Sequence, residues 1–168
     1  MKLLILGAGG YGQTVADIAE QSGLYEKIFF LDDKSNAENV IGKCDEYTKH
    51  KDCYIYPAFG NNEMRLSWIE RLENEGFTIP TLVHSNAYVS PKAKISVATI
   101  VLPNAVINAN CVIEKGCIIN CGAIIDHGCI IENGCHICLG AIVKAENRIS
   151  KCTKIEAGEV VQARTFPL

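Results

Sequence analysis

An isoleucine or valine returns at every sixth position through the second half of the chain, thirteen times in succession from Val89 to Val161. Two residues before each of these, a second register holds alanine, cysteine or threonine at eleven of the thirteen positions. A period of six matches neither the helical period of about 3.6 nor the strand alternation of about 2, but it matches short β-segments joined by regular corners, three hexads to a triangular coil. The repeat therefore predicts a left-handed parallel β-helix, with the aliphatic residues filling its interior and the small residues lying where space is tight.

Cysteine occupies the small register four times, at Cys111, Cys117, Cys129 and Cys135. We expect reduced core thiols there, because cysteine behaves as a small hydrophobic residue and the chain shows no export signal that would take it to an oxidising compartment. Cys111 stacks on Cys129 and Cys117 on Cys135, one coil apart. The spacing Cys135-x-x-Cys138 leaves zinc binding or redox chemistry as an alternative.

The charge balance is mild, with 16 Lys and Arg against 19 Asp and Glu. No basic stripe is present that could neutralise a phosphate backbone, so the sequence argues against a nucleic-acid partner. The opening segment MKLLILGAGG has too short an apolar run for a signal peptide, and no later segment approaches the ~20 apolar residues of a membrane span. These features predict a cytoplasmic protein without a membrane span.

The first half of the chain opens with a pattern typical of phosphate-binding turns. A strand, Lys2 to Leu6, runs into the glycine-rich segment Gly7 to Gly12, and a predicted helix from Gln13 to Gln21 follows. Glycines in this context let the backbone approach a phosphate at the positive end of a helix. A second strand ends at Asp32 and Asp33, where an acidic side chain can bind a ribose hydroxyl. Taken alone, this pattern indicates NAD.

The length of the first half argues against NAD, because a complete dinucleotide fold has two mononucleotide-binding halves and only about 85 residues precede the repeat. A third strand, Tyr54 to Phe59, leads into Gly60 and Asn61 before a helix from Met64 to Glu73. We therefore predict an α/β half-Rossmann domain with a parallel sheet at residues 1–84, followed by the β-helix at 85–168. The expected ligand of the first domain is one nucleotide-linked substrate, and a glycine-rich turn without a ligand is the alternative.

Four segments together resemble the bacterial NeuD/PglD-type sugar acyltransferases, namely GAGGYG, FLDD, FGNNEMR and IIDHGCIIENGCHICLGA. That family includes UDP-amino-sugar N-acetyltransferases and sialic acid O-acetyltransferases. The resemblance covers nearly the whole chain. It implies acetyl-CoA as cosubstrate and a homotrimer whose active sites lie between neighbouring β-helices.

The resemblance also assigns site residues by position. The nucleotide-sugar residues it implies are Gly9, Gly10 and Tyr11 for the phosphates, Asp32 and Asp33 for the uridine part, and Gly60 with Asn61 near the sheet edge. The acetyl-CoA residues it implies are His136, Asn120, Ala145 and Ala157. His127 matches the catalytic histidine, and histidine suits that task because it titrates near working pH and can take a proton from an attacking amine. We expect no metal, since His50 and His84 lie outside the repeat and two histidines cannot form a three-histidine zinc site.

Two departures from the family accompany these assignments. The residue after the catalytic histidine is often Glu or Asp in the family, whereas it is Gly128 here. Counting one coil onward nominates Glu146 to orient His127, and Asp126 is the other candidate, although Lys144 stacks on it by the same count. Relatives usually continue for further coils and a basic tail, whereas this chain stops at Leu168, so weak binding of acetyl-CoA, or loss of that binding, is an alternative to full binding.

The predicted function is transfer of an acetyl group from acetyl-CoA to the amine of a UDP-linked amino sugar. O-acetylation of a sugar, of the sialic acid type, is the nearest alternative. A nucleotide-sugar-binding homologue with weakened catalysis is the other alternative.

Overall fold

The computed structural model describes residues 1–35 and 37–168. The chain divides into two compact units, Met1–Pro80 and Thr81–Leu168. The predicted boundary after residue 84 lies four residues beyond this division, because the strand Leu82–Val83 already pairs in parallel with Ile100–Val101 of the β-helix. Among the described residues, no helix combines the length and apolar character that crossing a bilayer requires.

The first unit is a small parallel α/β layer. Its elements are β1 (Lys2–Leu6), α1 (Gly10–Ser22), β2 (Lys27–Leu31), a 3-10 segment (Cys44–Lys49), β3 (Tyr54–Pro57) and α2 (Asn62–Asn74). The strands form a sheet in the order β2-β1-β3, with every pair parallel. Residues Leu3 to Leu6 of the central strand are fully buried, as expected for a strand covered on both faces.

The second unit, all of which the structure describes, is a parallel β-helix of fourteen two-residue strands. Face 1 consists of β4 (Leu82–Val83), β7 (Ile100–Val101), β10 (Ile118–Ile119), β13 (His136–Ile137) and β16 (Lys154–Ile155). Face 2 consists of β5 (Tyr88–Val89), β8 (Val106–Ile107), β11 (Ile124–Ile125), β14 (Ile142–Val143) and β17 (Val160–Val161). Face 3 consists of β6 (Lys94–Ile95), β9 (Val112–Ile113), β12 (Ile130–Ile131) and β15 (Arg148–Ile149). The fold predicted from the sequence, a half-Rossmann domain followed by a left-handed parallel β-helix, is confirmed.

Each face is followed by a corner, and we call the stacked corners edge 1, edge 2 and edge 3 after the faces they follow. From Ile95 onward, the third residue after each interior aliphatic residue has a left-handed backbone. These residues, at twelve successive corners from Ala98 to Arg164, have φ between 56° and 72°. Glycine holds this position at six of the twelve corners, since it adopts positive φ without the steric cost that a Cβ imposes. Gly128, with φ of 69°, is one of them, so its presence after His127 follows from corner geometry.

The small register inside the helix also supplies hydrogen-bond donors. Four thiols donate to a backbone oxygen fifteen residues further on: Cys111 to Asp126 at 3.0 Å, Cys117 to Glu132 at 3.2 Å, Cys129 to Lys144 at 3.3 Å and Cys135 to Ser150 at 3.0 Å. Thr99 and Asn147 do the same, donating to Glu114 and Gln162. The sequence predicted the size of these residues but not this function, which satisfies corner carbonyls that face the interior. The structure describes all nine cysteines, and none of them forms a disulfide bond.

Candidate active site

The glycine-rich loop of the first unit connects β1 to α1. A Cβ on Gly12 would lie 2.0 Å from the backbone oxygen of Gly7, so glycine is required there for the helix to pack against the loop. A Cβ on Gly9 or Gly10 would meet nothing within 4 Å. Gly9 is the N-cap of α1, which begins at Gly10 and therefore earlier than the sequence suggested. The open glycines thus lie at the positive end of a thirteen-residue helix, where backbone N–H groups favour an anion.

Asp32 follows β2 and holds the glycine-rich loop. Its carboxylate accepts hydrogen bonds from the backbone N–H of Ala8 at 2.7 Å and from those of Lys34 and Ser35 at 2.8 Å each. These donors, that of Ala8 first, hold the pKa of the Asp32 carboxyl below its usual value. Asp33 accepts from the backbone N–H of Cys44 at 3.0 Å. In this structure both predicted uridine-binding carboxylates are therefore engaged with loop backbone.

The second loop of this unit follows β3, which is the neighbour of β1 in the parallel sheet. Asn61 is the N-cap of α2, and its side chain accepts from the backbone N–H of Met64 at 2.8 Å. Arg65 is fully buried and donates to the backbone oxygen of Phe59 at 3.0 Å and to the Asn62 side chain at 2.9 Å. Arg65 was not predicted from the sequence, because a fully buried arginine in a helix leaves no periodic signal. A Cβ on Gly60 would meet no atom within 4 Å, so the loop is open at that residue.

His127 lies exposed on edge 2, at the centre of a corner formed by Asp126, His127 and Gly128. Its backbone N–H donates to Oδ1 of Asp126 at 2.7 Å, and its backbone oxygen accepts from the N–H of Glu146 at 3.1 Å. Within the described residues, the imidazole makes no hydrogen bond. The corner thus fixes the backbone of His127 and leaves its ring accessible to a substrate.

The two residues nominated to orient His127 are engaged elsewhere. A Cβ on Gly128 would lie 3.4 Å from Cγ of Glu146, so these positions stack as predicted, but the Glu146 carboxylate pairs with Nε of Arg164 at 2.6 Å. Asp126 bonds the backbone of His127 rather than the imidazole. Arg164 was not predicted from the sequence as a site residue, although the same eighteen-residue count places it beside Glu146.

The side chain of Asp126 also bonds the preceding coil. Its Oδ1 accepts from Nδ2 of Asn108 at 3.1 Å. The His127 N–H and the Asn108 amide hold the pKa of the Asp126 carboxyl below its usual value. Lys144, which stacks on Asp126 by sequence count, donates to Gln162 at 2.7 Å. Asp126 therefore acts here as an ionised acceptor for the corner.

The residues predicted to contact acetyl-CoA divide between two edges. Asn120 lies at the beginning of edge 1, and His136 lies on face 1. Nδ2 of Asn120 and Nε2 of His136 are 3.0 Å apart. Ala157 also lies on edge 1, whereas Ala145 lies on edge 2, one coil beyond His127. Edges 1 and 2 are the two borders of face 2, so a single β-helix does not bring all of these residues together. The described residues contain no group of three or more His, Cys, Asp or Glu side chains placed to hold a metal ion.

Comparisons with known proteins assign this chain to a family. The family model for the PglD N-terminal domain matches residues 2–72. The acetyltransferase domain of PglB from Neisseria gonorrhoeae FA1090 is 35% identical, and the match covers 97% of this chain and 83% of that chain with a TM-score of 0.93. The chain belongs to the NeuD/PglD-type family of sugar acyltransferases.

Two further solved structures of proteins similar to this NeuD/PglD-type chain contain a bound ligand. The same PglB domain has been solved in complex with acetyl coenzyme A, at 35% identity, with 97% of this chain and 82% of that chain covered and a TM-score of 0.93. A mutant of perosamine N-acetyltransferase from Caulobacter crescentus, in complex with CoA and GDP-perosamine, is 20% identical, with 97% and 89% of the chains covered and a TM-score of 0.82. At that identity the second match shows a shared fold.

Proposed function

We propose that this protein transfers an acetyl group from acetyl-CoA to the amine of a UDP-linked amino sugar, with His127 as general base. The observation that carries the proposal is the 35% identity, over nearly the whole chain, to an acetyltransferase domain solved with acetyl coenzyme A. The exposed imidazole of His127 on a fixed corner supports the assignment of the base. Acetyl-CoA is a cosubstrate in this proposal, and the reaction needs no metal.

The chemistry proceeds through a direct ternary complex. The sugar nitrogen attacks the thioester carbonyl carbon, and His127 accepts the proton that the nitrogen loses. A backbone N–H stabilises the resulting oxyanion. The tetrahedral intermediate collapses by breaking the C–S bond, and the imidazolium returns the proton to the departing CoA thiolate. An N-acetylated sugar and CoA are the products.

The first unit supplies the nucleotide-sugar site in this proposal. Gly9, Gly10 and Tyr11 bind the phosphates with first-turn backbone of α1, which the open space around both glycines supports. Because the carboxylate of Asp32 already accepts from three backbone N–H groups, its main contribution is to hold this loop in shape. Asp33, Gly60 and Asn61 retain their proposed contacts with the uridine part and the sugar.

A homotrimer completes the acetyl-CoA site in this proposal. The outward residues of face 2 are all apolar, namely Tyr88, Val106, Ile124, Ile142 and Val160, and Tyr88 and Val160 are 55% and 43% exposed. A continuous apolar stripe of this kind favours association. If face 2 packs around a threefold axis, edge 2 of one copy lies next to edge 1 of its neighbour. His127 and Ala145 of one copy then share a groove with Asn120, His136 and Ala157 of another.

A thiol-release assay tests the proposed reaction. The protein is incubated with acetyl-CoA and a panel of UDP-linked 4-amino sugars, GDP-perosamine and sialic acid, and free CoA thiol is measured. We expect turnover with a UDP-linked amine and a loss of about 10²- to 10⁴-fold in His127→Ala. His50→Ala is the matched control, since His50 is the residue after the 3-10 segment Cys44–Lys49 and has no role in the proposed sites, and it should keep the wild-type rate.

The other outcomes separate the alternatives. Turnover with sialic acid alone would assign O-acetylation. Binding of a UDP-sugar without thiol release from any acceptor would favour a binding protein with weakened catalysis. A wild-type rate in His127→Ala would contradict the assignment of the base.

A further inference from the structure

Asn108 lies one coil before the proposed catalytic corner, and it is not one of the site residues assigned from the family resemblance. We propose that Asn108 is a positioning residue for His127, acting through Asp126. The inference rests on the proposed role of His127 as general base. It concerns how the corner is held, and not which substrate is used.

One carboxylate oxygen connects the three residues. Oδ1 of Asp126 accepts from Nδ2 of Asn108 at 3.1 Å and from the backbone N–H of His127 at 2.7 Å. Asn108 therefore holds the Asp126 side chain in the rotamer that accepts the His127 N–H, and this contact restrains the backbone of His127. Without the Asn108 amide, the carboxylate can rotate into solvent and release the His127 N–H.

The preceding coil holds the same corner at two more points. The thiol of Cys111 donates from the interior to the backbone oxygen of Asp126 at 3.0 Å. The backbone oxygen of Ala109 accepts from the N–H of Gly128 at 3.0 Å. Because these contacts fix the main chain independently, loss of the Asn108 side chain loosens the residues around His127 without unfolding the coil.

The equivalent acids on edge 3 are used differently. Glu114 and Glu132 accept the backbone N–H groups of Asn133 and Lys151, at 3.0 Å and 2.9 Å, which belong to the following coil. At edge 2 the acid instead bonds its own successor and takes a side-chain donor from the coil below. That arrangement restrains His127 itself.

The charges around Asp126 are already committed to other partners. Lys144 donates to Gln162, and Glu146 pairs with Arg164. The titratable groups that interact with Asp126 are His127 itself and the thiol of Cys111, which belongs to the preceding coil. The neutral Asn108 amide therefore orients the carboxylate without neutralising it, and its removal should change the rate of catalysis more than substrate binding.

Steady-state kinetics of Asn108→Ala test this role. We expect kcat to fall about tenfold while KM for both substrates stays within about twofold, because misplacing a catalytic group slows the chemical step. Asn133→Ala is the matched control, since Asn133 also bridges two coils by accepting from the Lys115 N–H at 3.2 Å but lies on edge 3. The control should keep the wild-type kcat.

A double-mutant cycle shows whether Asn108 acts through Asp126. In an Asp126→Ala background, Asn108→Ala should change kcat by less than about twofold, since interacting residues are not additive. An equal tenfold loss in both backgrounds would overturn the inference, as would an Asn108→Ala variant with wild-type kcat.

Amide hydrogen exchange at His127 provides a readout that needs no catalysis. Asn108→Ala should accelerate exchange of the His127 N–H by about tenfold, because that N–H loses its fixed acceptor. Unchanged exchange would overturn the inference even if the protein turned over none of the sugars. Absence of turnover in the wild type, with accelerated exchange in the variant, would instead count against the proposed function alone.

Discussion

Gly10 and Gly12 are two residues apart in the glycine-rich loop, yet the structure assigns them opposite tasks. A Cβ on Gly12 would lie 2.0 Å from the Gly7 backbone oxygen and 3.0 Å from its carbonyl carbon, both of which are backbone atoms that cannot rotate away. Overpacking costs about 1–3 kcal/mol, and a backbone overlap this severe belongs at the upper end. The gain in helix propensity from glycine to alanine offsets only about 0.5–1 kcal/mol. We therefore expect Gly12→Ala to lose about 2 kcal/mol of unfolding free energy.

Gly10→Ala should weaken ligand binding and leave the stability of the fold nearly unchanged. The added methyl group meets nothing within 4 Å, so the unfolding free energy should change by less than about 1 kcal/mol. The same methyl group occupies the space in front of the helix terminus where we propose that the nucleotide phosphates bind. We expect the affinity for a UDP-linked amino sugar to fall about tenfold or more, because the backbone can no longer approach the phosphate closely.

Urea unfolding followed by tryptophan fluorescence measures the first effect, since the single tryptophan, Trp68, lies in α2 of the same unit. Isothermal titration with the UDP-sugar measures the second. Each variant is the control for the other. A Gly12→Ala protein within about 0.5 kcal/mol of wild type would refute the packing argument, and an unaltered affinity in Gly10→Ala would refute the proposed phosphate site.

Three further predictions concern stability. Cys135→Ala should cost about 1–2 kcal/mol in urea unfolding because it removes a buried donor to Ser150 and leaves a small void, while Cys135→Ser should cost less. The Asp32 carboxyl has a lowered pKa in the folded state, so it stabilises the folded protein at neutral pH. This stabilisation is lost as the pH falls from the unfolded pKa of about 3.9 towards the lower folded pKa. In an acid titration, the unfolding free energy of Asp32→Asn should therefore fall less steeply than that of the wild type. Arg164→Ala should change the unfolding free energy by less than about 1 kcal/mol, because its ion pair with Glu146 is solvent-exposed, and a larger calorimetric change would contradict this.

The β-helix could be predicted from sequence because its interior admits one aliphatic residue per hexad without exception. The first strand, Leu82–Val83, was outside the predicted domain, although Val83 precedes Val89 by one period and Thr81 occupies the small register. The helix α1 was placed too late because Gly10 and Gly12 are poor helix formers in isolation. Packing against the glycine-rich loop determines where that helix begins.

Side-chain partners at the candidate site were less predictable. Stacking of Glu146 over Gly128 followed from counting eighteen residues, and the same count applied in both directions would have found Asn108 and Arg164. The count gives neighbours but not which of them form hydrogen bonds, because rotamers and competing backbone donors decide that. Asp32 illustrates the limit, since its three N–H donors come from loops whose shape no local pattern specifies.

The left-handed corners also determine how this chain tolerates changes in length. Because each corner stacks on the corner three hexads earlier, inserting three hexads before Val89 would lengthen the β-helix and keep His127 on edge 2. Inserting a single hexad between Ile107 and Ile125 would keep the interior filled but move His127 to edge 3, away from Asn108 and from the apolar border of face 2. The architecture accepts growth in steps of six residues, whereas the site accepts it only in steps of eighteen.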